Sequence, residues 1–247
     1  MKIVADTNIW YYLGQAPKLF DKVKNEPIAP TFVNIYELSK SKNIVDKENL
    51  SRAAIQKIFA FRDNVIYEPP FTYISKLHND IKFDVVKEIG SWLEFTEKFA
   101  KGHSIEDDKK DAFRKKVNEI WENLNSGAVL FNEEAEKIRG RIINKKEHKK
   151  KDTYQATGSF LNFCIETTSQ RKHNLEGFDL NKVELLIKTL DHFFKTLETS
   201  KMKIQPNDWY DFAILGYVQP GDKYWTKEKR WIRLITGAIC EDYLYEK

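Results

Sequence analysis

The stretch Ile3-Val4-Ala5-Asp6-Thr7-Asn8 decides how the fold begins. Its three apolar residues are typical of a buried strand, and the polar residues that follow at once indicate a turn. The apolar run over 9–13 (IWYYL) then predicts a helix, for which Asn8 or Thr7 could be the N-cap. A carboxylate directly after a buried strand is costly without a partner, so Asp6 is the first candidate functional residue.

The strand-turn-helix pattern occurs again further along the chain. Residues 27–33 (PIAPTFV) predict a second short strand, and Asn34 followed by Glu37 matches a helix start with a capping box. Near the end, 223–226 (KYWT) predict a third strand, which is followed by a last helix over 230–246. Strands that alternate with helices predict an α/β fold, in which helices cover a parallel sheet.

The middle of the chain has the periodicity of amphipathic helices, with few strand signals. Apolar residues recur at spacings of three and four over 85–99, 112–124 and 183–197. We therefore expect a core built from 1–46 and 201–247. The segment 47–200 would be a large, mostly α-helical insertion, which could pack as part of the same domain.

Composition excludes several classes of protein. Of the 247 residues, 41% are hydrophobic and 13% are aromatic, which argues against disorder. No apolar run approaches the roughly 18 residues of a membrane-spanning helix, and the short run at the N-terminus does not match a secretory signal. The two cysteines are too few for a disulfide framework. We expect a cytoplasmic protein that does not bind membranes.

The positive charge of the chain is concentrated in one window. The chain has 41 Lys and Arg against 37 Asp and Glu, and 138–151 (IRGRIINKKEHKKK) holds seven basic residues against one Glu. Such a patch predicts contact with a phosphate backbone, although a solvated helix end explains it equally well. The nearby Tyr154 could stack on a base. The candidate RNA-binding residues are Lys145, Lys146, Lys149, Lys150, Lys151, Lys227, Lys229 and Arg230.

Acidic side chains occur where the predicted strands end and the next helices begin. Asp6 and Glu228 follow apolar strands, while Glu37 and Asp211 lie in first helical turns at the same edge of the sheet. Asp208 lies three residues before Asp211, on the same helix face. Carboxylates that converge repel one another unless a cation joins them, and their oxygens suit Mg²⁺ or Mn²⁺. The sequence therefore predicts a divalent metal site formed by these five residues.

The acids other than Asp6 also have simpler interpretations. Glu37 could only complete a capping box with Asn34. Asp208 and Asp211 could be a cap and a first-turn acid that the helix dipole favours. Glu228 could be a solvated turn residue. The ordered set, in which each acid has a fitting structural context, favours the metal site over these readings.

In this order the acids resemble those of the PIN-domain ribonucleases, of which the VapC-type toxins are the best-known bacterial members. In that family one acid ends the first strand, a second lies on an early helix and a third begins a helix before the last catalytic strand. A fourth acid follows a Thr or Ser by two positions. The matching residues here are Asp6, Glu37, Asp211 and Glu228, with Thr226 as the hydroxyl residue.

The resemblance implies a three-layer core around a parallel sheet and metal-dependent hydrolysis of single-stranded RNA by the four acids. Thr7, Asn8 and Thr226 would support the site, and a protein inhibitor of the antitoxin kind would be a partner. The resemblance covers roughly 1–45 and 204–240. It departs from the family at Glu228, where Asp is commoner, and by the additional Asp208.

Two other functions stay open from the sequence alone. A module with this fold could bind RNA or a protein partner without cutting, as the Glu228 departure and the long insertion suggest. A DNA nuclease of the flap-endonuclease type is the other alternative. The lack of an evident helical arch counts against it, although the helical insertion could contain one.

Overall fold

The protein has a mixed α/β fold with a small sheet of three parallel strands, as the sequence predicts. The structure, a computed structural model, describes residues 1–79, 81–145 and 154–246, and of 141–145 only the backbone. The strands are β1 (Ile3–Ala5), β2 (Ile28–Ala29) and β3 (Lys223–Trp225). They are arranged in the order β2-β1-β3, so the strand that begins the chain lies in the centre of the sheet.

Helices make up most of the described residues. In chain order they are α1 (Thr7–Gln15), α2 (Pro17–Val23), α3 (Phe32–Ser39), α4 (Asn43–Asp46), α5 (Glu48–Phe59), α6 (Pro70–Lys76), α7 (Val85–Ala100), α8 (Lys110–Lys145), α9 (Tyr154–Thr168), α10 (Glu184–Thr199), α11 (Asp208–Leu215) and α12 (Lys229–Gly237). The three predicted amphipathic segments lie in α7, α8 and α10, which confirms them as helices. Among the helices of the described residues, none combines the length and apolar character that a membrane span requires.

Two predicted elements are shorter than expected. The strand predicted over 27–33 is reduced to β2 and an isolated bridge between Thr31 and Ile66, because Pro30 between them has no N–H to donate to a ladder. The helix predicted over 230–246 ends as α12 at Gly237. Ile239 then adopts a left-handed φ of 57°, which breaks the helix before a short 3₁₀ turn over Glu241–Tyr243.

The central strand β1 separates two clusters of buried side chains. Its alternate residues point to opposite faces, so Val4 joins one cluster and Ile3 and Ala5 join the other. Helices α10, α11 and α12 contribute to the Val4 cluster, while α1, α5 and α7 contribute to the second. Both clusters therefore combine residues of 47–200 with residues of the two ends. The domain boundaries themselves stay a prediction.

Candidate active site at the carboxyl edge of the sheet

Asp6 lies directly after β1 and is 1% exposed. Its backbone N–H donates to the carbonyl of Trp225, and the Thr226 hydroxyl donates to its Oδ2 at 2.8 Å, whereas its buried Oδ1 has no partner. Asp6 itself occupies the N-cap position of α1, so the expected caps Asn8 and Thr7 are wrong. Burial raises the pKa of Asp6 to about 6 despite the Thr226 hydrogen bond, and the charge of Glu228 raises it further.

Glu37 lies in the second turn of α3, one turn later than expected. The helix is capped by Thr31, whose hydroxyl accepts from the Asn34 N–H while the Asn34 side chain accepts from the Thr31 N–H. The predicted capping box of Asn34 with Glu37 is therefore wrong, because the helix begins before Asn34. Glu37 Oε2 is buried without a partner. Burial raises the pKa of Glu37 to about 7. A hydrogen bond with the Thr7 side chain lowers this pKa, and the charge of Asp6 raises it.

Asp211 and Asp208 lie in the first turn of α11 and have different contacts. Asp211 Oδ2 accepts a hydrogen bond from the Trp231 indole at 2.8 Å. Burial and then the charges of the other acids raise its pKa well above the ordinary value. Asp208 Oδ2 accepts from the Gln205 N–H at 2.6 Å and from the Arg230 guanidinium at 2.8 Å. The charge of Asp208 is therefore balanced by a nearby cation of the chain.

Glu228 follows β3 and lies at the N-cap position of α12. The Asn8 side-chain amide donates to its carboxylate, and the Glu228 N–H donates to the Thr226 hydroxyl at 3.1 Å. That hydroxyl in turn donates to Asp6, so one Thr side chain connects two of the acids. Burial and the charge of Asp208 raise the pKa of Glu228, while Arg230 lowers it.

The structure brings the four acids of the predicted catalytic set together. We call Asp6, Glu37, Asp211 and Glu228 the acidic cluster. The charges of the other three members each raise the pKa of Asp211, so the four carboxyl groups are close enough to interact. In the described part of the chain, however, no three His, Cys, Asp or Glu side chains are grouped closely enough to hold a metal ion. Thr226, Asn8 and Trp231 hold three of the four carboxylates through the hydrogen bonds given above.

Two buried oxygens of the acidic cluster are available as ligands for a cation. Asp6 Oδ1 and Glu37 Oε2 are buried and accept no hydrogen bond. A buried carboxylate oxygen without a partner costs free energy, which a hard cation would offset. The members of the cluster offer only carboxylate oxygens, the ligand type that Mg²⁺ and Mn²⁺ prefer.

Three residues outside the predicted set of site residues lie at this edge of the sheet. The buried Asn34 amide donates to the Ala5 carbonyl and to the Thr7 hydroxyl, both at 3.1 Å, and so joins α3 to the end of β1. Trp231 holds Asp211, and the buried Tyr224 hydroxyl has no partner. The sequence offered one sign of this role, since Asn34 is a polar residue one helical turn before Glu37. Nothing local distinguishes the other two from ordinary core aromatics.

The predicted RNA-binding residues have varied surroundings. Lys227 and Lys229 are exposed, and the Lys227 ammonium lies 5.2 Å from the centre of the Tyr12 ring. Arg230 instead contacts Asp208, so a predicted RNA ligand and a predicted metal ligand contact each other. Of Lys145, only the backbone in α8 is described. The remaining predictions, at Lys146, Lys149, Lys150 and Lys151, lie outside the described residues.

No protein-family model, curated protein or solved structure matches the chain. The resemblance to PIN-domain ribonucleases therefore depends on the order of the acids in the sequence.

Proposed function

We propose that the protein is a divalent-metal-dependent endoribonuclease that hydrolyses phosphodiester bonds of single-stranded RNA. The observation that carries the proposal is the pair of buried, unpartnered oxygens, Asp6 Oδ1 and Glu37 Oε2, beside Asp211 and Glu228. Clusters of helices against both faces of the small parallel sheet support a PIN-like three-layer core. A cytoplasmic location and a protein inhibitor belong to the same proposal.

The acidic cluster would hold Mg²⁺ or Mn²⁺. When bound, such an ion supplies activation of water and neutralises charge that develops on the phosphate. The Thr226 hydroxyl orients Asp6, the Asn8 amide orients Glu228, and the Trp231 indole orients Asp211. These neutral donors fix the side chains without adding a charge that would compete with the cation.

Positive charge beside Glu228 supports an anionic polymer as the substrate. Lys227 and Lys229 flank this residue in the sequence and are exposed. Exposed ammonium groups attract a phosphate backbone and contribute affinity that falls as salt rises. The two side chains would hold the phosphates next to the one that is cut.

The proposed activity is tested on a short, fluorescently labelled single-stranded RNA with Mg²⁺ or Mn²⁺ and with a chelator. We expect cleavage that requires the divalent ion and falls at least about a hundredfold in Asp6→Asn and in Asp211→Asn, since each loses a charged ligand. Asp21→Asn is the matched control, because Asp21 lies on α2 in an exposed pair with Lys24. If both cluster variants cleave as fast as the parent, the assignment is wrong.

A module that binds RNA without cutting is the second candidate. Two observations favour it: the absence, within the described residues, of three ligand side chains already grouped for a metal ion, and the hydrogen bonds that engage Asp211 and Glu228. This candidate predicts salt-dependent RNA binding without turnover. It also predicts that neither Mg²⁺ nor Mn²⁺ changes the stability of the protein at pH 8, whereas binding at the acidic cluster would raise it.

A further inference from the structure

A cavity of about 400 Å³ opens beside Glu37, between the helical segment 47–200 and the two ends of the chain. One face of α8 supplies Trp121 and three apolar neighbours at helical spacing, α11 supplies Tyr210, and the turn after α3 supplies Lys40 and Lys42. Its volume is in the range of about 300–1,000 Å³ that is typical of small-ligand sites. The cavity, which we call the Trp121 cavity, thus joins a largely apolar wall to a member of the acidic cluster.

Trp121 is the most informative residue of this wall. Its side chain is 50% exposed, and it is the one exposed tryptophan of the six in the chain. A large aromatic ring at the surface of a groove is a platform on which an unpaired base can stack. Tyr210, only partly buried, adds a second aromatic ring to the lining.

Lysine side chains at the rim of the Trp121 cavity indicate which kind of ligand it binds. Within the described residues, Lys40 and Lys42 form no ion pair with a carboxylate, and Lys42 is exposed. Burial and then the charge of the nearby Lys116 lower the pKa of Lys40, so three cationic side chains lie on this side of the cavity. Unpaired lysines next to aromatic rings match the phosphates and bases of a single-stranded nucleic acid. An apolar peptide would leave these lysines without partners.

We propose that the Trp121 cavity is a nucleotide subsite, in which an unpaired RNA base stacks on Trp121 and the adjoining phosphate contacts Lys40 and Lys42. The inference rests on the proposed nuclease function, because a base held there would place a neighbouring phosphodiester bond near Glu37. It gives the helical segment a role: α8 binds the substrate that the acidic cluster cuts.

The subsite is tested by binding of a short oligouridylate to the full chain in a chelator, where no cleavage occurs. We expect Trp121→Ala to weaken binding about 5- to 150-fold, the effect of losing one base stack, and Trp121→Phe to retain most of the affinity. The matched control is Leu130→Ala, since Leu130 is 66% exposed on the same helix and does not line the cavity. Circular dichroism confirms that the variants are folded.

An abasic oligomer separates base stacking from charge. We expect parent and Trp121→Ala to bind it equally, because it has no base to stack. Lys40→Ala and Lys42→Ala should each reduce the salt slope of RNA binding by about 0.7, and Lys18→Ala, an exposed lysine on α2, should leave the slope unchanged.

The outcomes for the subsite and for the nuclease differ. Base-dependent binding that requires Trp121, in a protein without divalent-dependent cleavage, would support the subsite and overturn the nuclease. Cleavage by a protein whose RNA affinity is the same in the parent, Trp121→Ala, Lys40→Ala and Lys42→Ala would overturn the subsite. That result would favour a protein partner as the occupant of the Trp121 cavity.

Discussion

Two acids of the cluster have pKa values raised toward neutral pH. The pKa of Asp6 is raised to about 6 and that of Glu37 to about 7, in both cases chiefly by burial. Their ordinary values are 3.8 and 4.5, so the folded chain binds protons that the unfolded chain releases. A bound cation would replace those protons. Burial of these carboxylates is costly, and the cation of the proposed function would offset that cost.

These raised pKa values predict how the stability of the metal-free protein depends on pH. A carboxyl group with a raised folded-state pKa contributes stability that is fully present below its unfolded value and is lost as pH rises through its folded value. In a chelator, the free energy of unfolding should thus decrease between about pH 4 and pH 7. Asp6→Asn should be more stable than the parent by about 3 kcal/mol at pH 8 and close to it at pH 4.

Urea unfolding at the two pH values measures this difference, with Asp21→Asn as the control at an exposed aspartate. Addition of Mn²⁺ at pH 8 should stabilise the parent more than Asp6→Asn. An Asp6→Asn protein that is no more stable than the parent at pH 8 would show that burial does not penalise this carboxylate.

At the scale of elements, the Asn34 side chain both caps α3 and ties it to the sheet. Asn34 Oδ1 accepts from the Thr31 N–H at 2.9 Å and so caps the helix, while its amide donates to the Ala5 carbonyl and to Thr7 at the end of β1. The cap fixes where the helix begins, and the amide fixes where it lies relative to the sheet. Together they determine the position of Glu37 one turn later.

Removal of this side chain should loosen α3 without removing an acid. Asn34→Ala leaves the buried Ala5 carbonyl and the Thr31 N–H without partners, so we expect a loss of about 2–3 kcal/mol in the free energy of unfolding. Metal-dependent cleavage should also fall, because Glu37 moves with its helix. Asn49→Ala, at an exposed position of α5, should change neither quantity. Unchanged stability in Asn34→Ala would contradict the double role.

At the scale of the whole molecule, aromatic packing connects the helical segment to the candidate site. Phe193 of α10 is fully buried, and its ring centre lies 4.9 Å from that of Phe212 in α11. Phe212 lies 4.9 Å from Trp231 of α12, whose indole donates to Asp211. The segment 47–200 thus packs directly behind Trp231, one of the residues that hold the acidic cluster.

This packing predicts that the segment and the two ends unfold together. Phe193→Ala should lower the free energy of unfolding by about 3–5 kcal/mol, because it opens a cavity behind Phe212 and Trp231. Tryptophan fluorescence and circular dichroism should still report one coincident transition. Phe163→Ala is the control, since this ring is 63% exposed on α9. Two separate transitions in the parent would show instead that the segment is an independent unit.

The sequence by itself determined the features that depend on neighbours along the chain. Short apolar runs bounded by polar turns predicted the strands at Ile3 and Lys223, and spacings of three and four predicted α7, α8 and α10. The order of the acids predicted that their carboxylates lie toward one edge of the sheet, because parallel strands end at one edge. Local patterns were less accurate for helix ends: the caps at Asp6 and Thr31 depend on which backbone groups the sheet already uses.

Only the tertiary structure decided which side chains hold those acids. Asn8 and Glu228 are 220 positions apart in the chain and form a hydrogen bond, and Arg230 joins Asp208 across 22 positions. Trp121 and Lys40 line the same cavity, which no local sequence pattern predicts. Periodicity records only which face of an element is apolar, whereas the partner of a polar group depends on how separate elements pack. The acids, with Asn8 and Thr226 as supporting residues, were therefore predictable from the sequence and its resemblance, whereas the contacts of Trp231 and Asn34 were not.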